Sequence, residues 1–449
     1  MHRPLWFDEL FTIWASRLSL TRVLAVLAND SGPPLWYVLE KPFVAAGERL
    51  FSSDTVARLL PFSAILVLFA GASALPSRPA KIRYVLLAAT SPLLLLYSAE
   101  ARSYALLSLV CFVLFLLAGR GAETPRRLAA VAFLSATALY THYLALFAVG
   151  ALAIVAMAEK RGRSALALVA GAVPFLLWVP MMMAQPRDAV AWMHESASEV
   201  VTRILSSLGG AGDVPHPFGP PLPFALVVVG TGLALVLAVL LGSIWRRDTE
   251  TRRACAFVIL FFGAVLVASL ARPIAFAGRT EMAILPVWLW TVARAADRHR
   301  AIRAASCAVA LVSSISTALL IAAPRPPSVE ARVLERLEKL ARPGDVLFAG
   351  AQFYLPARLA ADRGRLGMTL HAFPLEQASH PGWSVPTHAR AEDLAAVASA
   401  LDRAGPAGRV FVLVPPSYRA ALQSVLAGRG VTRRLAESPK MLLAVWTEN

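Results

Sequence analysis

Residues Leu128–Ala158 read LAAVAFLSATALYTHYLALFAVGALAIVAMA, and these 31 positions contain no Asp, Glu, Lys or Arg. At ~1.5 Å of rise per residue, a single helix of this length would exceed the ~30 Å hydrocarbon core of a bilayer. The polar group Tyr140-Thr-His-Tyr143 stands inside the run. We therefore predict two short membrane-spanning helices that meet at this group.

Apolar runs of the same kind continue on both sides of this pair. Of all residues, 57% are hydrophobic and 16% are charged, whereas soluble globular proteins carry ~25% charged residues. This composition excludes a disordered, collagenous or disulfide-stapled chain, and it is not that of an ordinary cytosolic enzyme. We predict a polytopic α-helical membrane protein with about ten spans. The eight further uncharged runs are Leu59–Leu75, Tyr84–Ala99, Ser103–Gly119, Ser164–Gln185, Leu222–Trp245, Ala254–Ala271, Met282–Ala293 and Ala304–Ala323.

The positive charge of the chain is concentrated in alternate loops. The formal net charge is +16, from 44 Lys and Arg against 28 Asp and Glu. The positive-inside rule places in the cytoplasm the basic loops that begin at Pro76, Arg120, Glu159, Arg246 and Arg294. No basic stretch contains the interleaved aromatic residues of a nucleic-acid surface, so nucleic acid is not an expected partner. We expect a multi-pass protein of a bacterial-type inner (plasma) membrane.

Two polar regions flank the spans of residues 58–323. Residues 1–57 contain amphipathic helices at Leu10–Leu27 and Trp36–Leu50, which we expect to lie on the outer face of the membrane. Residues 324–449 alternate strand and helix patterns, which indicates a soluble extracytoplasmic α/β domain that docks the acceptor or supports the structure. Its predicted strands are Asp345–Gly350, Arg409–Pro415 and Met441–Trp446, and its predicted helices are Ser328–Leu340, Arg390–Arg403 and Ser417–Gly428.

Ionisable residues gather at the predicted outer ends of the spans. A carboxylate there can take a proton from an acceptor hydroxyl, and arginines can hold a phosphate in bidentate fashion and stabilise it as a leaving group. Structural explanations are also open: a helix N-terminal charge pair, an ion pair, an interfacial histidine, or side chains that snorkel to the membrane surface. The residues are Asp8, Glu9, Glu100, Arg102, His142, Arg272, Arg279 and Glu281.

Short motifs along residues 1 to about 323 carry a family resemblance. The motifs are Leu5-Trp-Phe-Asp-Glu9, Gly32-Pro-Pro-Leu-Trp-Tyr-Val-Leu39, Arg58-Leu-Leu-Pro-Phe-Ser63, Ser91-Pro92 with Tyr97-Ser-Ala-Glu-Ala-Arg-Ser-Tyr104, Tyr140-Thr-His-Tyr143, and Arg279 with Leu285-Pro286. In this order they resemble those of the polytopic GT-C glycosyltransferases, in the branch of the protein O-mannosyltransferases and the lipid A aminoarabinose transferase. Thr280 departs from the pattern, because the family has a tyrosine after the arginine that corresponds to Arg279.

The resemblance implies a membrane glycosyltransferase that moves a sugar from a polyprenyl-phosphate donor to an acceptor, with inversion by direct displacement. It also implies a transmembrane helix before the acidic pair, which this sequence does not include. The acidic pair is a candidate ligand for a divalent cation, and no ligand cluster accompanies it. The expected catalytic residues are Asp8, as base or acceptor-orienting group, and Glu9; the expected donor-phosphate ligands are Arg102, Arg279 and His142; and the supporting residues are Glu100, which would orient Arg102, with Arg58 and Tyr104.

Two other classes of protein are open alternatives. A transporter or lipid flippase would place ionisable residues near span centres and would show two related halves with Gly- or Pro-broken helices. The chain shows no internal repeat, and its charges lie at span ends. A non-enzymatic assembly partner of a glycan machine would keep the fold without needing the pair Asp8-Glu9, which is intact here. The sequence determines neither the sugar nor the acceptor, which is a lipid, a glycan or a protein.

Overall fold

The chain is divided by its contacts into two compact units. The first unit is Ser31–Arg325, and the second joins His2–Asp30 to Pro326–Asn449. The computed structural model describes residues 5–50, 53–186, 196–212, 223–245, 247–323, 329–382, 389–404, 408–427, 431–438 and 441–447. Arg246 and half of the predicted polar loop 186–221 lie outside the described residues.

Most described residues are helical, and the strands are confined to the C-terminal part of the chain. The helices are α1 Phe7–Arg17, α2 Leu20–Leu27, α3 Leu35–Leu50, α4 Ser53–Val56, α5 Leu59–Ala70, α6 Arg78–Thr90, α7 Pro92–Ser98, α8 Tyr104–Gly119, α9 Pro125–Thr141, α10 Leu144–Ala158, α11 Gly162–Ala172, α12 Val179–Ala184, α13 Ala197–Leu208, α14 Phe224–Ile244, α15 Thr249–Ala271, α16 Leu285–Arg298, α17 Arg300–Ala322, α18 Val329–Leu340, α19 Tyr354–Asp362, α20 Ala391–Ala404 and α21 Arg419–Leu426. The strands are β1 Val346–Ala349, β2 Thr369–Ala372, β3 Arg409–Val414, β4 Val431–Ser438 and β5 Met441–Thr447.

The predicted break in the long apolar run is confirmed. α9 ends at Thr141 and α10 begins at Leu144, so the run forms helices of 17 and 15 residues. Between them His142 has an extended backbone, and its N–H donates to the Ala138 carbonyl 3.1 Å away as the last bond of α9. Each helix is thus short enough to fit within a bilayer.

Hydroxyl side chains and prolines determine where several of these helices begin. Ser91 ends α6 and accepts a hydrogen bond from the Leu94 backbone N–H, while Pro92 fills the first position of α7, which needs no backbone donor. The two helices bend by 64° at this break. Thr124 and Pro125 start α9 in the same way.

Three described helices, α14, α15 and α17, are long and apolar enough to cross a membrane. The bent pair α6–α7 would make a fourth, and four further apolar helices are shorter. These helices indicate a multi-pass membrane protein, but the predicted count of about ten spans is not confirmed. The run Ser164–Gln185, for example, is divided by a 3-10 helix at Val173–Leu177, where Pro174 lacks a backbone donor.

Ion pairs with little solvent exposure join helix ends on the side predicted to be cytoplasmic. Arg253 of α15 pairs with Glu159 at 2.6 Å and with Glu250 at 3.3 Å. Arg120, after α8, pairs with the same Glu250 at 3.0 Å and lies over the Trp290 ring. Removal of one partner from a buried pair typically costs roughly 3–5 kcal/mol. Some of the arginines that give the chain its net positive charge therefore stabilise contacts between helix ends.

The second unit contains a mixed sheet in the order β2-β1-β3-β5-β4. β1 is parallel to β2 and β3, and β5 is antiparallel to β3 and β4. Leu347 and Phe411 face an apolar layer with α18 and α19, whereas Phe348 and Val412 face a layer with α20 and the start of α21. The predicted α/β arrangement is confirmed for the three central strands. β2, β4 and α19 were not predicted.

Residues 2–30 belong to this second unit. α1 packs on α19, and a Cβ added at Gly382 would lie 3.6 Å from the Phe11 ring and 4.0 Å from the Asn29 carbonyl oxygen. The helix predicted at Leu10–Leu27 is two helices, because Ser19 starts α2 by accepting from the Arg22 N–H. The contact division therefore falls after Asp30 and Arg325, whereas the sequence patterns change after residues 57 and 323.

Candidate functional site

Three loops of the first unit bring together basic side chains that are distant in sequence. Arg102 lies between α7 and α8, His142 between α9 and α10, and Arg279 between α15 and α16. The guanidinium carbons of Arg102 and Arg279 lie 5.5 and 5.9 Å from the centre of the Tyr104 ring. The His142 ring lies 5.0 Å from the same ring. Four residues singled out in the sequence are therefore neighbours, with Tyr104 at their centre.

The two arginines form a cationic site, and both side chains are half-buried. Burial lowers the pKa of Arg102 to about 10, and the positive charge of Arg279 acts in the same direction. Both groups stay protonated at neutral pH, so the pair carries two positive charges close together. An anion between them would offset this repulsion and accept charge-assisted hydrogen bonds. A phosphate fits this requirement, because the planar guanidinium binds two of its oxygens at once.

His142 contributes a neutral donor to the same site. Its Nδ1 accepts a hydrogen bond from the Leu144 backbone N–H at 3.1 Å, which assigns the ring proton to Nε2. Burial, followed by the charges of Arg102 and Arg279, lowers the pKa of His142 to about 3. The side chain is half-buried. At neutral pH it can donate one N–H to a ligand without adding a third charge.

Acidic and phenolic groups surround Arg279. Glu100 is 1% exposed and Glu281 is fully buried. Glu100 and Tyr97 interact electrostatically with Arg279, and the Tyr97 and Tyr104 rings are 4.8 Å apart. Glu100 also belongs to a tight turn in which its carbonyl accepts from the Arg102 N–H at 2.7 Å. The buried carboxylates thus help to retain the positive charge of the half-buried arginines.

The turn before Arg279 is closed by hydrogen bonds within residues 276–281. Thr280 Oγ1 accepts from the Phe276 N–H at 2.9 Å, and Glu281 Oε1 accepts from the Gly278 N–H at 3.0 Å. The threonine that departs from the family pattern therefore has a structural role here. Arg272, by contrast, donates to the Pro186 carbonyl at 3.2 Å.

A chain of polar side chains supports the loop that carries His142. Trp178 donates to the Tyr143 hydroxyl at 3.0 Å, and this hydroxyl donates to Gln185 at 2.8 Å. Gln185 in turn donates to the Gly32 carbonyl at 3.2 Å. Trp178 and Gln185 were missed in the sequence because they lie in an apolar run. The only local signal was one amide at the end of that run.

The acidic pair lies in the second unit, at the start of α1. Glu9 is fully buried, and its Oε2 accepts from the Trp6 backbone N–H at 3.3 Å. This bond caps the first turn of the helix. Asp8 is half-buried in the same turn. Arg58 lies in the turn before α5 of the first unit, and its supporting role stays a prediction.

In the described parts of the chain, no three His, Cys, Asp or Glu side chains come together in a way that could hold a metal ion. A divalent cation at Asp8 and Glu9 stays a prediction.

Glu40 of α3 is a buried carboxyl group that the sequence motifs do not include. Its side chain is 0% exposed, and neither oxygen has a hydrogen-bond partner within the described ranges. Burial raises the pKa of Glu40 to about 9. The group is therefore protonated at neutral pH, because a buried charge without a partner would cost far more than a buried neutral acid.

We expect the stability of the protein in detergent to fall as the pH rises from 6 to 9. Glu40 has a pKa of about 9 in the folded state against an ordinary value of 4.5, so folding keeps a proton that the unfolded chain releases. The stabilisation is complete below pH 4.5 and is lost as the pH rises through 9, at up to about 1.4 kcal/mol per pH unit. Thermal unfolding at pH 6 and 8.5 measures this, and Glu40→Gln should flatten the decline. Equal declines in both proteins would contradict it.

Two solved structures have an architecture similar to that of this chain. No family model matches the sequence, and no curated protein sequence matches it. The apo crystal structure of ArnT from Cupriavidus metallidurans is similar, with a TM-score of 0.57, 13% identity, and coverage of 93% of this chain and 88% of that one. The same protein bound to undecaprenyl phosphate gives a TM-score of 0.54, 12% identity, and coverage of 92% and 88%. The chain thus shares the fold of ArnT, which confirms the fold that its motifs predicted.

Proposed function

We propose that the protein is a membrane glycosyltransferase that takes its sugar from a polyprenyl-phosphate-linked donor. The observation that carries this proposal is the convergence of Arg102, Arg279 and His142 around Tyr104. Two guanidiniums and one neutral N–H donor suit a phosphate group. The fold adds support, because a protein with the same fold has been crystallised with undecaprenyl phosphate.

The proposed reaction is a direct displacement at the anomeric carbon. The hydroxyl oxygen of the acceptor attacks this carbon as the bond from the carbon to the phosphate oxygen breaks. The bonding electrons leave with the polyprenyl phosphate, and Arg102 and Arg279 stabilise the negative charge that develops on its oxygens. Asp8 takes the proton of the acceptor hydroxyl, and Glu9 supports Asp8 by capping α1. The configuration at the anomeric carbon is inverted.

The location of the charges favours a transferase over a transporter or flippase. Arg102, His142 and Arg279 all lie in loops between helices rather than inside them. A transport pathway would need ionisable groups near the centres of the spans. A loop site suits chemistry at the end of a lipid-linked sugar.

We propose an inner-membrane topology with about ten spans, with the site and residues 324–449 on the outer face. The loops at 76–83, 120–127, 159–163, 246–253 and 294–303 would be cytoplasmic, because they hold much of the Lys and Arg excess. A reporter that is active only outside the cytoplasm, fused after Asn449, should be active. A matched cytoplasmic reporter at the same site should be silent. The opposite pair of readings would overturn the assignment of sides.

Binding of the donor lipid tests the function without knowledge of the acceptor. We expect the purified protein to bind undecaprenyl phosphate and to discriminate against undecaprenol, which has the same chain without the charge. The guanidinium pair has nothing to pair with in the alcohol. Equal affinities for the two lipids would show that the site does not recognise phosphate, and the proposed function would then fail.

A further inference from the structure

The N-terminal helices need a partner in order to be ordered. α1 has 11 residues and α2 has 8, and isolated helices shorter than ~12–15 residues are marginal in water. Yet Phe7, Phe11 and Ala15, which follow one another at helical spacing on α1, are all buried. The burial must therefore come from tertiary packing.

Helix α19 of the α/β domain supplies part of this packing. Tyr354, Ala357 and Ala360 face the sheet and belong to its apolar layer. Leu355 and Leu359 are also buried, at 0% and 2% exposure, but lie outside that layer. A helix that is apolar on both sides is packed on both sides. α1 packs on α19, so the second side of α19 is a seat for the helix whose first turn contains Asp8 and Glu9.

A second contact holds the same helix from the loop that follows β2. An added Cβ at Gly382 would lie 3.6 Å from Phe11 Cε2, so this glycine lies directly against the ring. The Asn29 carbonyl, just after α2, is 4.0 Å from the same point. Two parts of the C-terminal domain, more than 330 residues away in sequence, therefore bracket the N-terminal segment.

We propose that the C-terminal α/β domain is a positioning element of the transfer reaction, because it seats α1 and so sets the place of the Asp8 carboxylate. This proposal rests on the proposed function, in which Asp8 is the base. Phe11 and Gly382 are positioning residues, since they act through the helix and touch no substrate. Misplacement of a catalytic group by ~1 Å can cost ~10²-fold in rate.

The test replaces Gly382 in the full-length protein. Gly382→Leu should force the new side chain into Phe11 and displace α1. We expect turnover to fall at least ~10-fold, while the KM for the lipid donor changes little because Arg102 and Arg279 lie in the other unit. The matched control is Gly367→Leu, an exposed glycine of the same unit whose added Cβ would meet nothing within 4 Å. This control should keep wild-type turnover.

Two further measurements separate seating from general damage. The double variant Gly382→Leu with Phe11→Ala provides room for the leucine, so its loss should be smaller than the sum of the single losses. Hydrogen exchange of the α1 amides reports the seat itself and needs no activity. Exchange should be faster in Gly382→Leu and unchanged in Gly367→Leu.

Each outcome decides a separate point. Unchanged α1 exchange in Gly382→Leu would overturn the seating of the helix by the domain. Faster exchange with wild-type turnover would overturn its positioning role. A fall in turnover with an equal rise in donor KM would point to a structural defect and would also overturn it. If wild-type protein transfers no sugar from a polyprenyl-phosphate donor, the proposed function fails and the catalytic part of this proposal fails with it. The exchange data would still decide the seating.

Discussion

Asp8→Asn should lower sugar transfer at least ~10²-fold, which is the low end of the range for general-base catalysis. The asparagine keeps the size and hydrogen bonding of the aspartate but cannot accept the proton of the acceptor hydroxyl. The loss of folding stability expected for this substitution is small in comparison with the loss of transition-state stabilisation. Loss of a carboxylate from the first turn of α1 removes a favourable helix-dipole interaction of typically 0.3–1 kcal/mol, while a 10²-fold loss in rate corresponds to about 2.7 kcal/mol. The measurement is the turnover of purified protein with a polyprenyl-phosphate sugar.

The control for Asp8 is an acidic residue of the same unit without a proposed role in the reaction. Asp362 is exposed at the end of α19, so Asp362→Asn should keep wild-type turnover. Glu9→Gln should cost less turnover than Asp8→Asn, because Gln keeps an oxygen that can accept from the Trp6 N–H. Near-wild-type transfer by Asp8→Asn would show that the motif is a helix cap and not a catalytic group.

Removal of both guanidiniums should abolish tight binding of the donor. Hydrogen bonds to charged groups contribute about 1.5–3 kcal/mol each, so the double variant Arg102→Ala, Arg279→Ala should lose at least ~10²-fold in affinity for undecaprenyl phosphate. Arg→Lys at either position should also weaken binding, because the ammonium cannot form the planar two-pronged contact. A lipid-binding titration of protein in detergent measures both effects.

The control for the arginines is an exposed arginine of the same unit. Arg252, in the first turn of α15, is exposed, and Arg252→Ala should bind the lipid as the wild type does. All variants must unfold at a similar temperature for the comparison to hold. Normal lipid binding by the double variant would mean that Arg102 and Arg279 only anchor the loops at the membrane interface.

The cationic site was largely predictable because its signals are local. A run too long for one bilayer crossing had to break, and its polar residues Tyr140–Tyr143 marked the place. Charges in otherwise apolar sequence are also easy to see, which drew attention to Arg102 and Arg279. The structure adds what spacing cannot show, namely that Tyr104 lies between them and that His142 is a neutral Nε2–H donor.

The central strands could be predicted from the sequence pattern, and the edge strands could not. The three predicted strands are β1, β3 and β5, which lie at the centre of the sheet and are buried on both faces. The two that were missed, β2 and β4, are the edge strands. Edge strands in natural proteins are often short or charged, which prevents pairing with other chains. β4 reads VTRRLAES and β2 has four residues, so neither has a strong apolar alternation.

The association of residues 2–30 with the C-terminal domain could not be predicted from the sequence. Phe11 and Gly382 are far apart along the chain, and the sequence around each of them does not indicate that the two are in contact. The same is true of Glu40, whose burial depends on tertiary packing and not on its neighbours in α3. Long-range contacts of this kind appear only once the fold is known.

The most direct test of the central claim is mass spectrometry of envelope lipids, glycans and glycoproteins from cells with and without the gene. We expect cells that lack the gene to lose one sugar residue from one class of envelope molecule. The wild-type gene should restore that mass, and the Asp8→Asn gene should not. Identical glycan inventories with and without the gene, or full restoration by Asp8→Asn, would contradict the assignment of a sugar transfer that depends on Asp8.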